Sequence, residues 1–205
     1  MTRLKRVNFE AATLASSFRF SFHRKIMAFT AHSKLPELNT ATILLVGMQG
    51  IGKHRLAGAL LNLNTSYSLQ VRTATHLPLP AENSESRPKI DFVVFLLDAN
   101  NNMSISKTVA SAKELDVSYF LGKACFVVLN ATSERLHCTD MSNITGLCDA
   151  HDSPMLCGSV QDENQRKILA RKLLCLTEIS SGFKHAISPM LIQATKHTYE
   201  FMETL

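Results

Sequence analysis

The chain alternates between two hydrophobic patterns. Apolar runs at 43–46 and 124–129, and a β-rich run at 90–97 that is apolar from Phe92, predict strands that are buried on both faces. Stretches with apolar residues three or four positions apart, clearest at 161–179, predict helices. In chain order the predicted elements are strand 43–46, helix 55–61, half-exposed strand 68–74, loop 78–88, strand 90–97, helix 103–115, strand 124–129, weaker helix 139–150, short strand 154–157, helix 161–179 and a final helix from 188.

Strands that alternate with helices predict a doubly wound α/β domain, with a mostly parallel sheet and helices on both faces. We expect this domain to occupy residues 38–182. Residues 1–37 are predicted to form a disordered or wrongly assigned arm, and residues 183–205 a helix that packs on the domain or extends it.

A glycine loop follows the first predicted strand. Gly47 and Gly52-Lys53 have the spacing of a phosphate-binding loop, in which backbone amides contact phosphate oxygens and the lysine neutralises their charge. The next position needs a Ser or Thr hydroxyl to bind Mg²⁺, but here it is His54. The loop predicts the fold of a small GTPase. The alternative is that its glycines serve only the tight turn. Gly47, Gly52 and Lys53 are therefore candidate residues of a vestigial nucleotide site.

The other parts of a GTPase site are missing from the sequence. An Asp-x-x-Gly segment is impossible between Gly58 and Gly122, because no glycine lies there. The base-reading Asn-Lys-x-Asp is replaced by Asn130-Ala-Thr-Ser. Asp98 could act as a Walker B metal ligand, but an Asp that begins the turn after a strand is the favoured interpretation. We therefore predict no catalysis, no cofactor and no metal site. The alternative is a nucleotide-binding NTPase or switch that uses the Gly47–Lys53 loop and Asp98.

Charge and cysteine content narrow the choice of partners. Of 22 basic and 17 acidic residues, six basic and one acidic lie within residues 1–26, which leaves 16 of each elsewhere. A neutral body argues against direct nucleic-acid binding, and no apolar stretch is long enough for a membrane span.

Residues 1–26 resemble a mitochondrial presequence, although we favour disorder or an upstream start before Met27. Five cysteines without Cys-x-x-Cys indicate free thiols in a reducing compartment, and their spacing matches no standard zinc site.

Four segments carry a resemblance to a known family. They read Leu38-Asn-Thr-Ala-Thr-Ile-Leu-Leu-Val-Gly47, Leu77-Pro-Leu-Pro80, Arg87-Pro-Lys-Ile-Asp91 and Ser118-Tyr-Phe-Leu-Gly-Lys-Ala-Cys-Phe126. Together they resemble the centromere protein M family, and the likeness runs from about Lys34 to the end. The chain departs from the family pattern in keeping Gly52-Lys53.

The resemblance implies a pseudo-GTPase that acts as an interaction subunit. It would join centromere proteins H, I and K in the constitutive centromere-associated network of the nucleus and contact the helical-repeat protein I. For the contact surface the resemblance indicates Tyr119, Phe120, Leu121 and Met190. Neighbours on an extended segment face opposite ways, so we expect Tyr119 and Leu121 to point outward, with Phe120 either buried or exposed. Met190 either contacts the partner or packs the last helix on its own domain.

Overall fold

A parallel sheet forms the centre of the protein. The computed structural model describes residues 37–79, 88–131 and 138–188. Its strands are β1 (Thr40–Gly47), β2 (Ser68–Ala74), β3 (Phe92–Asp98), β4 (Ala124–Leu129) and β5 (Met155–Gly158), and they lie in the order β2-β1-β3-β4-β5 with every pairing parallel. Four α-helices connect or follow them in the described residues: α1 (Lys53–Leu61), α2 (Asn102–Glu114), α3 (Cys138–Ala150) and α4 (Glu163–Ser181). A short 3₁₀ helix, Val117–Phe120, lies between α2 and β4.

Alternating side chains of the central strands build two cores. Leu44 of β1 and Phe95 of β3 belong to the core beneath α2 and α3, whereas Ile43 and Val94 belong to the core beneath α1 and α4. Both faces of these strands are therefore covered, which explains why their sequences are continuous apolar runs. The predicted doubly wound α/β fold, with a parallel sheet and helices on both faces, is confirmed.

The predicted elements agree with the observed ones to within three residues at each end, since the apolar patterns follow burial directly. The predicted final helix lies outside the described residues, apart from its first residue, Ser188. α4 ends at Ser181 with Gly182 in the left-handed conformation, after which Phe183 stacks on Tyr67 with ring centroids 4.1 Å apart. The chain that leaves α4 thus packs against Tyr67, which directly precedes β2 and shares a small apolar cluster with Ala41 of β1.

Three of the cysteines are buried free thiols, as the sequence predicted. Cys125, Cys148 and Cys157 lie in the core. Burial raises the pKa of the Cys148 thiol to about 12, so this group stays protonated and unreactive at neutral pH. The side chain of Cys138 lies outside the described residues.

Candidate functional site

The glycine loop joins β1 to α1 at the carboxyl end of the sheet. Gly50 and Gly52 have positive φ angles of 80° and 97°, which L-residues with a side chain rarely adopt. Gly52 also caps α1, and its carbonyl oxygen accepts hydrogen bonds from Arg55 N and Leu56 N at 3.0 and 3.2 Å. The loop therefore keeps the backbone turn that a phosphate-binding loop requires.

Two loop glycines are also required by close packing. A Cβ at Gly47 would lie 2.7 Å from the carbonyl oxygen of Leu96, and a Cβ at Gly52 would lie 2.5 Å from Cγ2 of Val160. Real Cβ atoms do not approach other atoms so closely. Neighbouring structure thus accounts for both glycines without a phosphate.

The loop lysine bonds to the loop itself. The Lys53 ammonium donates hydrogen bonds to the carbonyl oxygens of Gly47 and Met48, the latter at 3.2 Å. Lys53 is only 6% exposed, and burial lowers its pKa. His54, the next residue, is exposed. Two of the three ammonium N–H donors are thus used by the loop's own carbonyl oxygens.

The ends of β3 and β4 are held together by side chains. The Asp98 carboxylate accepts hydrogen bonds from Asn100 N at 3.0 Å and from Asn130 Nδ2 at 2.9 Å. Asn101, three residues after Asp98, caps α2 by accepting from Met103 N and Ser104 N. These contacts favour the interpretation of Asp98 as a strand-end residue that shapes a turn. They also engage Asn130, the one residue that matched the base-reading motif.

Neither a metal cluster nor a membrane span is found in the part of the chain described. Among residues 37–79, 88–131 and 138–188, His, Cys, Asp and Glu side chains nowhere gather in groups of three or more that could hold a metal ion. In the same ranges no helix is long and apolar enough to cross a bilayer.

The candidate partner corner is a 3₁₀ turn rather than an extended segment. Asp116 caps it by accepting a hydrogen bond from Ser118 N at 2.9 Å. Leu121, directly after the turn, is 49% exposed, and Val117 at its start is 76% exposed. Leu121 therefore points outward as predicted, whereas the exposure of Val117 escaped the sequence analysis.

The expectation that Tyr119 points outward is wrong. Tyr119 is 1% exposed, and its hydroxyl donates a hydrogen bond to the carbonyl oxygen of Ile90 at 3.2 Å. Burial raises the pKa of this hydroxyl, which keeps it protonated as a donor. The alternation argument failed because a 3₁₀ turn has three residues per turn rather than two. Tyr119 anchors the corner from beneath and does not form part of its exposed surface.

Phe120 is buried as well. It is 8% exposed, and its ring stacks on the imidazole of His151 with centroids 4.5 Å apart. The same imidazole lies 6.1 Å from the ring of Phe126 on β4. Burial, followed by the nearby charge of Lys113, lowers the pKa of His151. This neutral ring holds Phe120, and with it the turn that presents Leu121. Met190, the fourth candidate, lies outside the described residues.

Comparison with known proteins identifies the family. The sequence pattern of centromere protein M matches residues 27–199. Centromere protein M from Xenopus laevis is 35% identical over 160 residues, which cover 78% of this chain and 88% of that protein. The human protein is 35% identical over 158 residues, with 77% and 86% covered. The chain belongs to the centromere protein M family.

A solved structure is also similar to this family member. The G-domain of FeoB from Methanococcus jannaschii aligns with 69% of this chain and 99% of its own length, at 14% identity and a TM-score of 0.47. The family match itself includes the glycine loop, the Val117–Leu121 corner and Met190.

Besides Val117, two residues of the site were missed from the sequence. Val160 closes over Gly52 of the glycine loop, and the only signal was a single apolar residue in the polar turn after β5. His151 supports Phe120 from the end of α3, and no local pattern indicated that contact. Both act across the fold on residues far away in the sequence.

Proposed function

We propose that the protein is a catalytically inactive, G-protein-like interaction subunit of the constitutive centromere-associated network in the nucleus. It stabilises centromere protein I within an assembly with centromere proteins H and K, and so contributes to kinetochore assembly and chromosome segregation. Membership of the centromere protein M family supports this role. The names of these partners follow from the family resemblance.

The observation that carries the proposal is the exposed apolar corner at Val117 and Leu121. The two side chains lie four residues apart, at the two ends of a turn that Tyr119 and Phe120 fix from inside. Large exposed apolar side chains that are held rigidly lose little entropy on binding, which favours a protein contact. We therefore assign the partner surface to Val117 and Leu121, with Met190 as a further candidate.

The same proposal treats the glycine loop as structural. Lys53 is hydrogen-bonded to two loop carbonyls, and Asp98 to Asn100 and Asn130. His54 lacks the hydroxyl that would bind Mg²⁺. Lys53 and Asp98 therefore have partners within the protein, and the hydroxyl that would bind Mg²⁺ is replaced.

Copurification with centromere protein I tests the surface. Leu121→Glu places a charge on the corner without disturbing the core, and we expect it to reduce recovery of centromere protein I at least tenfold. Met103→Glu is the matched control, because Met103 is 64% exposed near the start of α2. A helix of this length separates it from the corner by about 20 Å. Equal recovery with Leu121→Glu and with the unchanged protein would remove the surface assignment. Met190→Glu tests the remaining candidate in the same way.

Nucleotide titration tests the inactive loop. Fluorescent GTP and ATP, with and without Mg²⁺, are expected to show no Mg²⁺-dependent binding at micromolar concentration. The alternative function, a nucleotide-binding NTPase or switch, predicts nucleotide binding in that concentration range and its loss in the Lys53→Ala variant. That outcome would replace the proposal of an inactive module while leaving the partner surface to be judged by copurification.

A further inference from the structure

A groove runs between α1 and α4 on the face of the sheet opposite α2 and α3. It has a volume of about 640 Å³. Its two walls come from segments that lie about a hundred positions apart in the sequence, so no local pattern reveals the groove. The glycine loop lies beyond one end, since Arg55 of the groove follows Lys53 within α1.

The groove concentrates positive charge. Four cationic side chains line it against a single carboxylate, that of Glu163; the cations are Arg55, Arg166, Lys167 and Arg171. The residues after position 26, with the groove included, carry 16 bases and 16 acids. The excess in the groove is therefore a local feature and not a consequence of overall composition.

Internal contacts leave most of this charge uncompensated. Arg55 bonds to the side-chain oxygen of Gln161, a neutral group. Arg166 donates to the carbonyl oxygens of Val160 and Gln161 at 2.8 and 3.5 Å. Among these four cations, Lys167 alone forms an ion pair within the described residues, to Glu163 at 2.6 Å. The guanidinium groups of Arg55 and Arg166 are thus positioned by neutral partners and keep their charge for an anionic ligand.

Apolar atoms complete the groove between the charges. Leu63 and Ala59 line it, and Gly58 leaves open space where a side chain would stand. A ligand that alternates carboxylates with small or branched apolar side chains would match both kinds of surface. Aromatic residues, on which bases stack, are not among the lining residues.

We propose that this groove binds an acidic, leucine-containing polypeptide segment of a partner protein. The site goes beyond the proposed contact at Leu121, because the two lie on opposite faces of the sheet. Val117–Phe120 packs with the α2 and α3 core, whereas the groove borders the α1 and α4 core. One domain can therefore hold two partners at the same time and bridge them.

Fluorescence anisotropy with a labelled synthetic peptide of Glu-Glu-Leu repeats tests the groove in the full chain. Arg171→Glu is expected to weaken binding roughly tenfold, since the reversal removes one attraction and adds a repulsion. Lys107→Glu makes the same charge change at an exposed position of α2 on the other face and is expected to stay within about twofold. The basic segment 1–26 is present in every variant and so does not affect the comparison.

Amide chemical shifts give a second readout that does not depend on a variant. Adding the peptide should move the signals of Gly58 and Leu63 and leave that of Leu121 in place. Equal weakening by the two variants, or shifts outside the groove, would mean general charge attraction and overturn the proposal. So would an absence of binding at low salt, or a single-stranded oligonucleotide that binds more tightly than the peptide and depends on Arg171. The Leu121 experiment succeeds or fails independently of these outcomes.

Discussion

The ammonium group of Lys53 lies 3.2 Å from the carbonyl oxygen of Met48 and donates a hydrogen bond to it. Met48 lies in the turn between β1 and α1, and Lys53 is the first residue of α1, so the positive charge closes the loop on itself. Carbonyl oxygens at the end of a strand need donors when buried, and Lys53 supplies one. The lysine of the loop thus has a structural role that needs no nucleotide.

Replacing Lys53 with alanine should destabilise the protein. Lys53→Ala removes a buried charged donor from two carbonyl oxygens, and we expect the free energy of unfolding to fall by roughly 1–3 kcal/mol. Urea denaturation measures the change. Lys107→Ala, at an exposed position of α2, should change stability by less than about 0.5 kcal/mol. A stability equal to that of the unchanged protein would show that the hydrogen bonds of Lys53 contribute nothing.

Two glycines of the same region should respond in opposite directions to alanine. Gly52→Ala would place a Cβ 2.5 Å from Val160 at a φ of 97°, so we expect a loss of roughly 1–3 kcal/mol. Gly58 lies inside α1 with no atom within 4 Å of an added Cβ, so Gly58→Ala should raise stability by about 0.5–1 kcal/mol. Thermal or urea unfolding of both variants checks the pair.

Adding Val160→Ala to Gly52→Ala separates steric overlap from backbone strain. The second substitution makes room for the new methyl group but leaves the positive φ unchanged. Val160→Ala alone also removes buried methyl groups, so it serves as the reference for the double variant. We expect Gly52→Ala to cost less stability in the Val160→Ala background than in the unchanged protein. No remaining cost would mean that the backbone conformation carries none, and an unchanged cost would mean that the contact with Val160 does not matter.

Asn130 combines a left-handed backbone with a hydrogen bond to Asp98. Its φ is 60°, and its amide donates to the carboxylate at 2.9 Å. Asn130→Ala should cost roughly 1–2 kcal/mol because alanine adopts this conformation poorly. Asn130→Gly removes the same hydrogen bond without the backbone cost, so it should be clearly less destabilising. If the two variants lose equal stability by chemical denaturation, the hydrogen bond and not the backbone accounts for the effect.

His151 should make stability depend on pH in the mildly acidic range. Its pKa is lowered in the folded protein by burial and by Lys113, whereas an unfolded histidine titrates near 6.5. The unfolded chain therefore binds the proton first. The contribution of His151 to the free energy of unfolding is complete above about pH 6.5 and is lost as the pH falls toward the lowered pKa.

Urea denaturation at several pH values measures this dependence. His151→Gln should lose part of the decline seen between neutral and mildly acidic pH. The exposed His54 offers a control, and His54→Gln should keep the decline. Identical pH profiles for the unchanged protein and His151→Gln would contradict the assignment.

Much of the fold was predictable because the burial of a strand or helix requires a local pattern of apolar residues in the sequence. β3 is apolar at six consecutive positions because helices cover both of its faces. The absence of an Asp-x-x-Gly motif was visible from the sequence alone, because no glycine lies between Gly58 and Gly122. By contrast, Tyr119 was predicted outward, since the sequence Val-Ser-Tyr-Phe does not distinguish a 3₁₀ turn from an extended segment. The direction of the Tyr119 side chain depended on Asp116, which caps the turn, and on the carbonyl oxygen of Ile90, which accepts a hydrogen bond from the Tyr119 hydroxyl.

By itself the sequence determined the element order, the parallel α/β sheet, the family and the loss of the GTPase motifs. These properties depend on periodicity and on residue types at fixed spacing, which are local. Only the tertiary structure decided where the Lys53 ammonium bonds, that Val160 lies against Gly52, and that Arg55 and Arg171 share one groove. Those relationships depend on how distant segments pack, and packing selects among rotamers and turns that are nearly equal in energy for the isolated chain.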